Sequence, residues 1–125
     1  MPSSLSGGQK KRIGLARTIA LEPKVIMYDE PTTGLDPILS TSIEDLIVKL
    51  GADMGITTIL VSHQKSTILR TVDKIYMMKD GCLIDSGTPS TIEDSDNEYI
   101  KYFINGGLKW KKINQIKLLL VFFQL

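Results

Sequence analysis

Val25-Ile26-Met27-Tyr28-Asp29-Glu30 is the stretch that decides the fold of this chain, because an apolar run ends there in two adjacent carboxylates and Pro31 follows. An apolar run of this length bounded by a breaker predicts a buried strand. Strands buried on both faces are typical of parallel sheets in α/β proteins, which bind ligands at the C-terminal edge of the sheet. Asp29 and Glu30 therefore either serve a ligand at that edge or simply end the strand at the solvent boundary.

A second candidate strand, residues 57–61, is rich in β-branched residues and ends at Ser62-His63. Between the two strands, Asp36-Pro37 gives a strong helix start signal, and an apolar stripe follows it. Strand, helix and strand in this order form a βαβ unit whose strands are parallel. Asp29, Glu30 and His63 are therefore predicted to lie at one edge of the sheet.

A helix is predicted from about residue 8 to residue 21, with Ser6 as its N-cap. Three basic residues, Lys10 to Arg12, crowd its first turn, where the helix dipole is already positive. Backbone amides, a hydroxyl and cations at one helix end suit a phosphate. A solvated basic face is the alternative explanation for this charge run.

The rest of the chain gives mainly structural signals. A short helix is predicted over residues 64–72, and two further helices over residues 89–93 and 97–105. Strands at 74–79 and 82–84 are joined by Asp80-Gly81, a strong hairpin signal.

The tail, residues 108–125, combines lysines with the apolar run 118–123. It could form an amphipathic helix at a membrane or partner surface, or a β-prone segment with a tendency to aggregate. Our preferred hypothesis is that it is the translated remainder after a disrupted reading frame. We therefore divide the chain into residues 1–107 and an unassigned tail, 108–125.

Composition sets broad limits. The chain has 125 residues, a net charge of +1 and a single cysteine, Cys82. The weak charge gives no bulk attraction to nucleic acid, and a lone cysteine excludes an intrachain disulfide. The N-terminus lacks the pattern of a signal peptide. A cytoplasmic location is the expectation, with no nucleic-acid partner.

Four segments of the sequence resemble motifs of the ABC-type ATPases, and they occur in the order and with the spacing of that family. Leu5-Ser6-Gly7-Gly8-Gln9 resembles its signature motif, and residues 25–30 its Walker B strand with the following glutamate. Gly34-Leu35-Asp36-Pro37 resembles the D-loop, and Val61-Ser62-His63 the switch histidine. The resemblance covers residues 1–87 closely and extends loosely to 107. It implies an α/β fold: a partial P-loop NTPase domain with a parallel βαβ core, a β-hairpin and C-terminal helices.

The resemblance also implies roles for individual residues, with ATP and Mg²⁺ as the ligands. Asp29 would help to hold Mg²⁺, directly or through water, and Glu30 would polarise the attacking water. His63 would contact the γ-phosphate and orient the nucleophile, while Asp36 would connect the two sites of a dimer. The signature residues would close over ATP held by the other subunit; these are Ser6, Gly7, Gly8 and Gln9.

Residues 21–23, 31–38 and 102–106 are most similar to the ATPase of the Mla/Mce-type phospholipid transport systems. That likeness implies a transporter subunit that works as a dimer with membrane permease subunits, in the cytoplasm and peripheral to the inner membrane. A DNA-repair ATPase of the same superfamily is disfavoured, because no long heptad arms are present.

The Walker A pattern, Gly-x-x-x-x-Gly-Lys-Ser/Thr, does not occur in the sequence. Its backbone amides and lysine hold the phosphates in P-loop proteins. We therefore expect the N-terminal Walker A half of the domain to be missing, as in a split or truncated gene, and the chain alone to be inactive. The alternative function is a non-catalytic fragment that at most binds a partner ATPase.

Overall fold

The computed structural model describes residues 4–105 and the backbone of residues 119–121. The described residues form an α/β structure in which helices and strands alternate through the first half of the chain. The elements are α1 (Gly7–Ile19), β1 (Val25–Asp29), α2 (Pro37–Met54), β2 (Thr57–Val61), α3 (Lys65–Thr71), β3 (Ile75–Lys79), β4 (Cys82–Gly87), α4 (Pro89–Glu93), α5 (Glu98–Ile104) and β5 (Leu119–Val121).

The described strands form one sheet in the order β1-β2-β5-β3-β4. β1 and β2 are parallel over their full length, with Val25 opposite Thr57 and Asp29 opposite Val61. β3 and β4 form the predicted antiparallel hairpin. β5 is antiparallel to both β2 and β3, so these two strands run in the same direction. The predicted parallel βαβ core with a hairpin and C-terminal helices is confirmed.

Local sequence signals set the ends of the central helix and the hairpin. α2 begins where the Asp36 side chain accepts a hydrogen bond from the Leu39 backbone N–H at 2.9 Å, with Pro37 in the first turn. It ends at Gly55, whose φ of 62° lies in the left-handed region that glycine adopts without strain. The turn between β3 and β4 has φ of 50° at Asp80 and 78° at Gly81, which suits a tight hairpin.

The hydrophobic core lies on one side of the sheet and draws residues from most of the helices. The buried members of the main cluster are Leu15, Ile43, Ile47, Leu60, Ile68, Val72, Ile75, Met77, Ile92, Ile100 and Ile104. A single cluster of this kind holds α1, α2 and α3 against β2 and β3.

The prediction that β1 is buried on both faces is wrong. Ile26 is buried at 4% exposure, whereas its neighbours Val25 and Met27 are 54% and 67% exposed. Alternate residues of a strand point to opposite faces of the sheet. The described residues supply a covering layer for only one of these faces.

Other boundaries differ slightly from expectation. α1 ends at Ile19, two residues early, and the chain passes through a left-handed residue, Glu22, before Pro23. Within the tail, residues 119–121 form β5 rather than a helix, and the other tail residues lie outside the described part. Among the described residues, no helix is both long and apolar enough to cross a membrane.

Candidate functional site

Glu30 and His63 meet at the edge of the sheet where β1 and β2 end. The Glu30 Oε1 atom lies 2.5 Å from His63 Nδ1 and accepts a hydrogen bond from the His63 backbone N–H at 3.0 Å. Both side chains reach solvent: that of His63 is 60% exposed and that of Glu30 29%. The pair is therefore preassembled and accessible to a small ligand.

The parallel register of β1 and β2 explains this meeting. Asp29 is opposite Val61, and the Glu30 backbone N–H donates to the Val61 carbonyl at 2.9 Å. The chain turns sharply at Glu30, whose φ is 47°. This conformation costs a residue other than glycine about 1 kcal/mol. The strained turn directs the Glu30 side chain towards the end of β2.

Two further residues hold Glu30 in place. The Thr33 hydroxyl donates to Glu30 Oε2 at 3.1 Å, so both carboxylate oxygens are hydrogen-bonded. The Lys11 ammonium lies 3.4 Å from the Glu30 carbonyl oxygen and ties α1 to the same turn. Sequence reasoning did not assign Thr33 to the site. The signal that could have identified Thr33 is its position in a turn three residues after Glu30, where a hydroxyl can reach back to the earlier side chain.

Asp29 ends β1 beside this pair, with an exposed side chain. Carboxylate oxygen is a ligand that Mg²⁺ accepts, and Mg²⁺ commonly takes one or two carboxylates together with waters and substrate phosphates. No group of three or more His, Cys, Asp or Glu residues suited to a metal ion occurs in the part of the chain that the structure describes. Asp29 therefore fits a magnesium site that is completed mainly by phosphate and water.

An open cavity of about 260 Å³ lies between α1 and β1 on the flank of this edge. Lys10 and Lys11 line it from the helix, and Tyr28 and Asp29 from the strand. Burial raises the pKa of the Tyr28 hydroxyl to about 12, so this phenol is neutral at ordinary pH. Two lysines, Lys10 and Lys11, and the Asp29 carboxylate thus line the same cavity.

The signature segment forms the start of α1. The Ser6 side chain accepts from the Gln9 backbone N–H at 3.3 Å, and Gln9 Oε1 accepts from the Ser6 N–H at 2.9 Å, which makes a capping box. These bonds explain Ser6 and Gln9 locally. Their predicted role towards a second subunit stays a prediction.

The two glycines of this segment allow the loop before α2 to approach α1. A Cβ atom on Gly7 would lie 3.3 Å from Leu35 Cδ2, and one on Gly8 would lie 3.5 Å from Leu39 Cδ1. Asp36, between these leucines, caps α2. The signature segment and the D-loop segment are therefore neighbours, while the dimer role of Asp36 stays a prediction.

The basic residues after the signature segment also contact the chain itself. Arg12 donates to the Ser42 hydroxyl at 2.8 Å, and Lys11 reaches Glu30. Two of the three cations in the predicted anion site thus have partners on neighbouring elements. These two bonds indicate that Lys11 and Arg12 help to hold α1 against its neighbours, whether or not the basic residues also contact an anion.

Comparison with known proteins defines the class. Residues 1–33 match the family described as ABC transporter. Methionine import ATP-binding protein MetN 1 of Bacillus cereus is 40% identical over 111 residues, which are 88% of this chain and 32% of that protein. ABC transporter I family member 17 of Arabidopsis thaliana is 41% identical over 102 residues, 82% of this chain and 39% of that protein.

Solved structures agree. The cbiO1 protein of Clostridium perfringens, part of the ABC transporter complex cbiONQ, matches with a TM-score of 0.70 and 36% identity, over 80% of this chain and 40% of that chain. The fold and the sequence thus resemble part of the ATP-binding proteins of ABC transporters. The chain contains a part of an ABC transporter ATP-binding domain, and it spans about a third of the length of the curated relatives it matches.

Proposed function

We propose that this chain supplies the catalytic carboxylate and histidine of an ATP-hydrolysis site and that another polypeptide segment must supply the phosphate-binding loop. The observation that carries the proposal is the Glu30–His63 pair, joined at 2.5 Å beyond two parallel strands. Phosphoryl transfer to water depends on positioning and charge neutralisation more than on covalent chemistry. A fixed carboxylate and a fixed imidazole at an open edge meet that need.

Glu30 is the residue that polarises the attacking water. A general base must lie within about 3 Å of the proton that it accepts. Both Glu30 oxygens are held by neighbours, His63 on one side and Thr33 on the other, so the carboxylate has a defined orientation. Oε1 faces both the backbone N–H and Nδ1 of His63, whereas Oε2 accepts only from Thr33, so the acceptor site that remains for a water molecule is on Oε2.

His63 complements this carboxylate. Because its Nδ1 faces Glu30, its Nε2 is the ring atom that can face a phosphate oxygen, and it donates a hydrogen bond to that oxygen when Nε2 carries a proton. Asp29 would hold Mg²⁺, which neutralises phosphate charge when bound. The three residues then act on one phosphate from one sheet edge.

The dimer arrangement is the second part of the proposal. The first turn of α1, residues 6–9, would contact ATP held by a second ATPase subunit, with Asp36 between the two sites. The neighbouring positions of Gly7, Leu35 and Asp36 support this assignment. The assembled protein would work on the cytoplasmic side of the inner membrane, bound to permease subunits.

The transported substrate is proposed from the relatives. The phospholipid transport assignment has no support from the reported relatives, one of which is named for methionine import. We therefore propose import of a small solute, with phospholipid as the second candidate. Binding of the purified chain to the permease of each class would discriminate between them.

The second candidate function is a non-catalytic fragment. It is favoured by one observation, the absence of Gly-x-x-x-x-Gly-Lys-Ser/Thr from the sequence. Steady-state ATP hydrolysis by the purified chain tests how far the site works unaided. We expect no turnover above background, because phosphate binding and base positioning belong to different segments. Turnover that disappears in Glu30→Gln would contradict this expectation.

A further inference from the structure

Glu44, in the middle of α2, is buried although it carries a carboxylate. It is 4% exposed, and a buried carboxylate needs a partner that bonds to it. Its Oε1 atom accepts a hydrogen bond from the Thr67 hydroxyl of α3 at 2.6 Å, which is the length of a charge-assisted bond. We propose that the Glu44–Thr67 pair positions His63 at the candidate site by holding the start of α3, the helix that follows the histidine.

The start of α3 depends on support from outside the helix. Among the helices of the described residues, α1, α2, α4 and α5 each begin with a side-chain cap, whereas Gln64 before α3 makes no side-chain cap bond. α3 has only seven residues, and so short a helix is marginal by itself. A cavity of about 340 Å³ lies between its first turn and the start of α2. Polar bonds to α2 therefore contribute more at this end of α3 than close packing does.

The Thr67 hydroxyl links the buried carboxylate to Gln64. Its Oγ1 atom lies 3.3 Å from the end of the Gln64 side chain. A hydroxyl has a single proton to donate, and the 2.6 Å bond to Glu44 uses it. The Gln64 amide can turn its NH₂ group to the Thr67 oxygen and donate to it. Thr67 thus bonds to Glu44 on one side and to Gln64 on the other.

Gln64 in turn fixes the backbone at His63. Its backbone N–H donates to the Ser62 hydroxyl oxygen at 3.2 Å, which closes a small turn across His63, and Ser62 is fully buried. The His63 N–H donates to Glu30 Oε1 at 3.0 Å. A displacement of Gln64 would therefore move His63 relative to Glu30.

Arg70 balances the charge of Glu44 from further along α3. Its Nε atom lies 3.9 Å from Glu44 Oε2, and its guanidinium donates to Asp45 at 2.7 Å. The Arg70 side chain is half exposed, so solvent weakens its attraction to the carboxylate. Thr67 is therefore the partner that gives Glu44 a short, directional bond, and it is the residue to substitute.

NMR of the imidazole in the full 125-residue chain tests the proposal, because His63 is its only histidine. With nitrogen-15-labelled histidine, the ring signals report whether Nδ1 keeps its carboxylate partner, and Glu30→Ala supplies the spectrum without that partner. Thr67→Val removes the hydroxyl and keeps the shape, so the His63 signals should move towards those of Glu30→Ala. Thr67→Ser restores a hydroxyl and should give the spectrum of the unaltered chain.

Thr71→Val is the matched control. Thr71 is also buried on α3, one turn later, but its hydroxyl donates to the Thr67 carbonyl within the helix rather than to α2. This variant should leave the His63 signals unchanged. The double variant Glu44→Met with Thr67→Val covers the case in which Thr67→Val unfolds the chain. Replacing both partners by apolar groups costs little stability, and the double variant should displace the His63 signals as well.

The inference rests on the proposed function, in which His63 acts on phosphate, and a second measurement separates the two. This chain is mixed with the recombinant part of Bacillus cereus MetN 1 that precedes its matched 111-residue segment. Thr67→Val should lower kcat of the mixture ~10-fold, because small misplacements of a reacting group are costly. KM for ATP should stay within ~2-fold, since the phosphate-binding loop holds the nucleotide. Thr67→Ser and Thr71→Val should turn over like the unaltered chain.

Unchanged His63 signals in the double variant or in a folded Thr67→Val would overturn the proposal, and so would an equal change in Thr71→Val. Turnover that depends on Glu30 but not on Thr67 would also overturn it while the ATPase proposal stands. The NMR measurement uses no nucleotide. His63 signals that follow Thr67 would therefore support the positioning role even where the mixture shows no turnover and the ATPase proposal fails.

Discussion

At the scale of single residues, Glu30 shows how backbone strain and hydrogen bonding combine. Its φ of 47° is unfavourable for a side chain. The bonds to His63 and Thr33 and the backbone bond to Val61 offset that cost. Strain of this kind persists where the surroundings determine the conformation, and it concentrates at functional positions. The structure therefore gives Glu30 a fixed orientation that a carboxylate at an ordinary strand end would lack.

Tyr28, two residues before, gives a prediction about pH. Its pKa is raised by burial from 10.0 to about 12 in the folded chain. The neutral phenol is thus favoured by folding, so this contribution to stability is complete below pH 10 and is lost as the pH rises towards 12. Tyr28→Phe should lose less stability than the unaltered chain between pH 10 and 12 in urea unfolding. Equal losses in both proteins would contradict the buried position of the hydroxyl.

At the scale of elements, α2 positions both strands of the βαβ unit. Its cap at Asp36 and its left-handed end at Gly55 fix where the helix begins and ends, two residues before β2 begins at Thr57. Ile43 and Ile47 pack it into the main core. The helix packs against the sheet, while the pairing of β1 with β2 and the Glu30–Val61 backbone bond set the Glu30–His63 contact.

The cap of α2 can be tested directly. Asp36→Ala removes the bond to the Leu39 N–H and should lower the free energy of unfolding by about 1 kcal/mol. Asp53→Ala, near the other end of the same helix, is the matched control. It removes a negative charge from the negative end of the helix dipole and should raise the free energy of unfolding by a few tenths of a kcal/mol. If the two variants unfold at the same urea concentration, the cap does not stabilise the helix.

At the scale of the whole molecule, the sequence predicted those parts of the fold and of the candidate site that depend on local signals. The βαβ unit followed from two apolar runs and a helix start signal, and their common direction placed Glu30 and His63 at one edge. The Asp80-Gly81 turn likewise predicted the hairpin, which the structure confirms.

The remaining features depend on contacts between distant segments. The bonds of Lys11 and Thr33 to Glu30 could not be predicted from the sequence, because they depend on how α1 packs and on the conformation of the turn at Glu30. The exposure of Val25 and Met27 contradicts the apolar pattern, because that pattern reflects a layer which the described residues do not supply. A β-prone tail was one of the alternatives, but the pairing of β5 was not predicted, since nothing in residues 119–121 indicates which strands they join.

ATP hydrolysis by this chain mixed with a segment that carries the phosphate-binding loop is the most direct test of the central claim, that Glu30 and His63 form one part of a divided site. We expect turnover in the mixture and in neither component alone. Glu30→Gln should lower that turnover by ~100-fold or more, since general-base catalysis is worth at least that factor. The exposed control Glu22→Gln should leave it unchanged. Turnover that survives Glu30→Gln in the mixture would contradict the account.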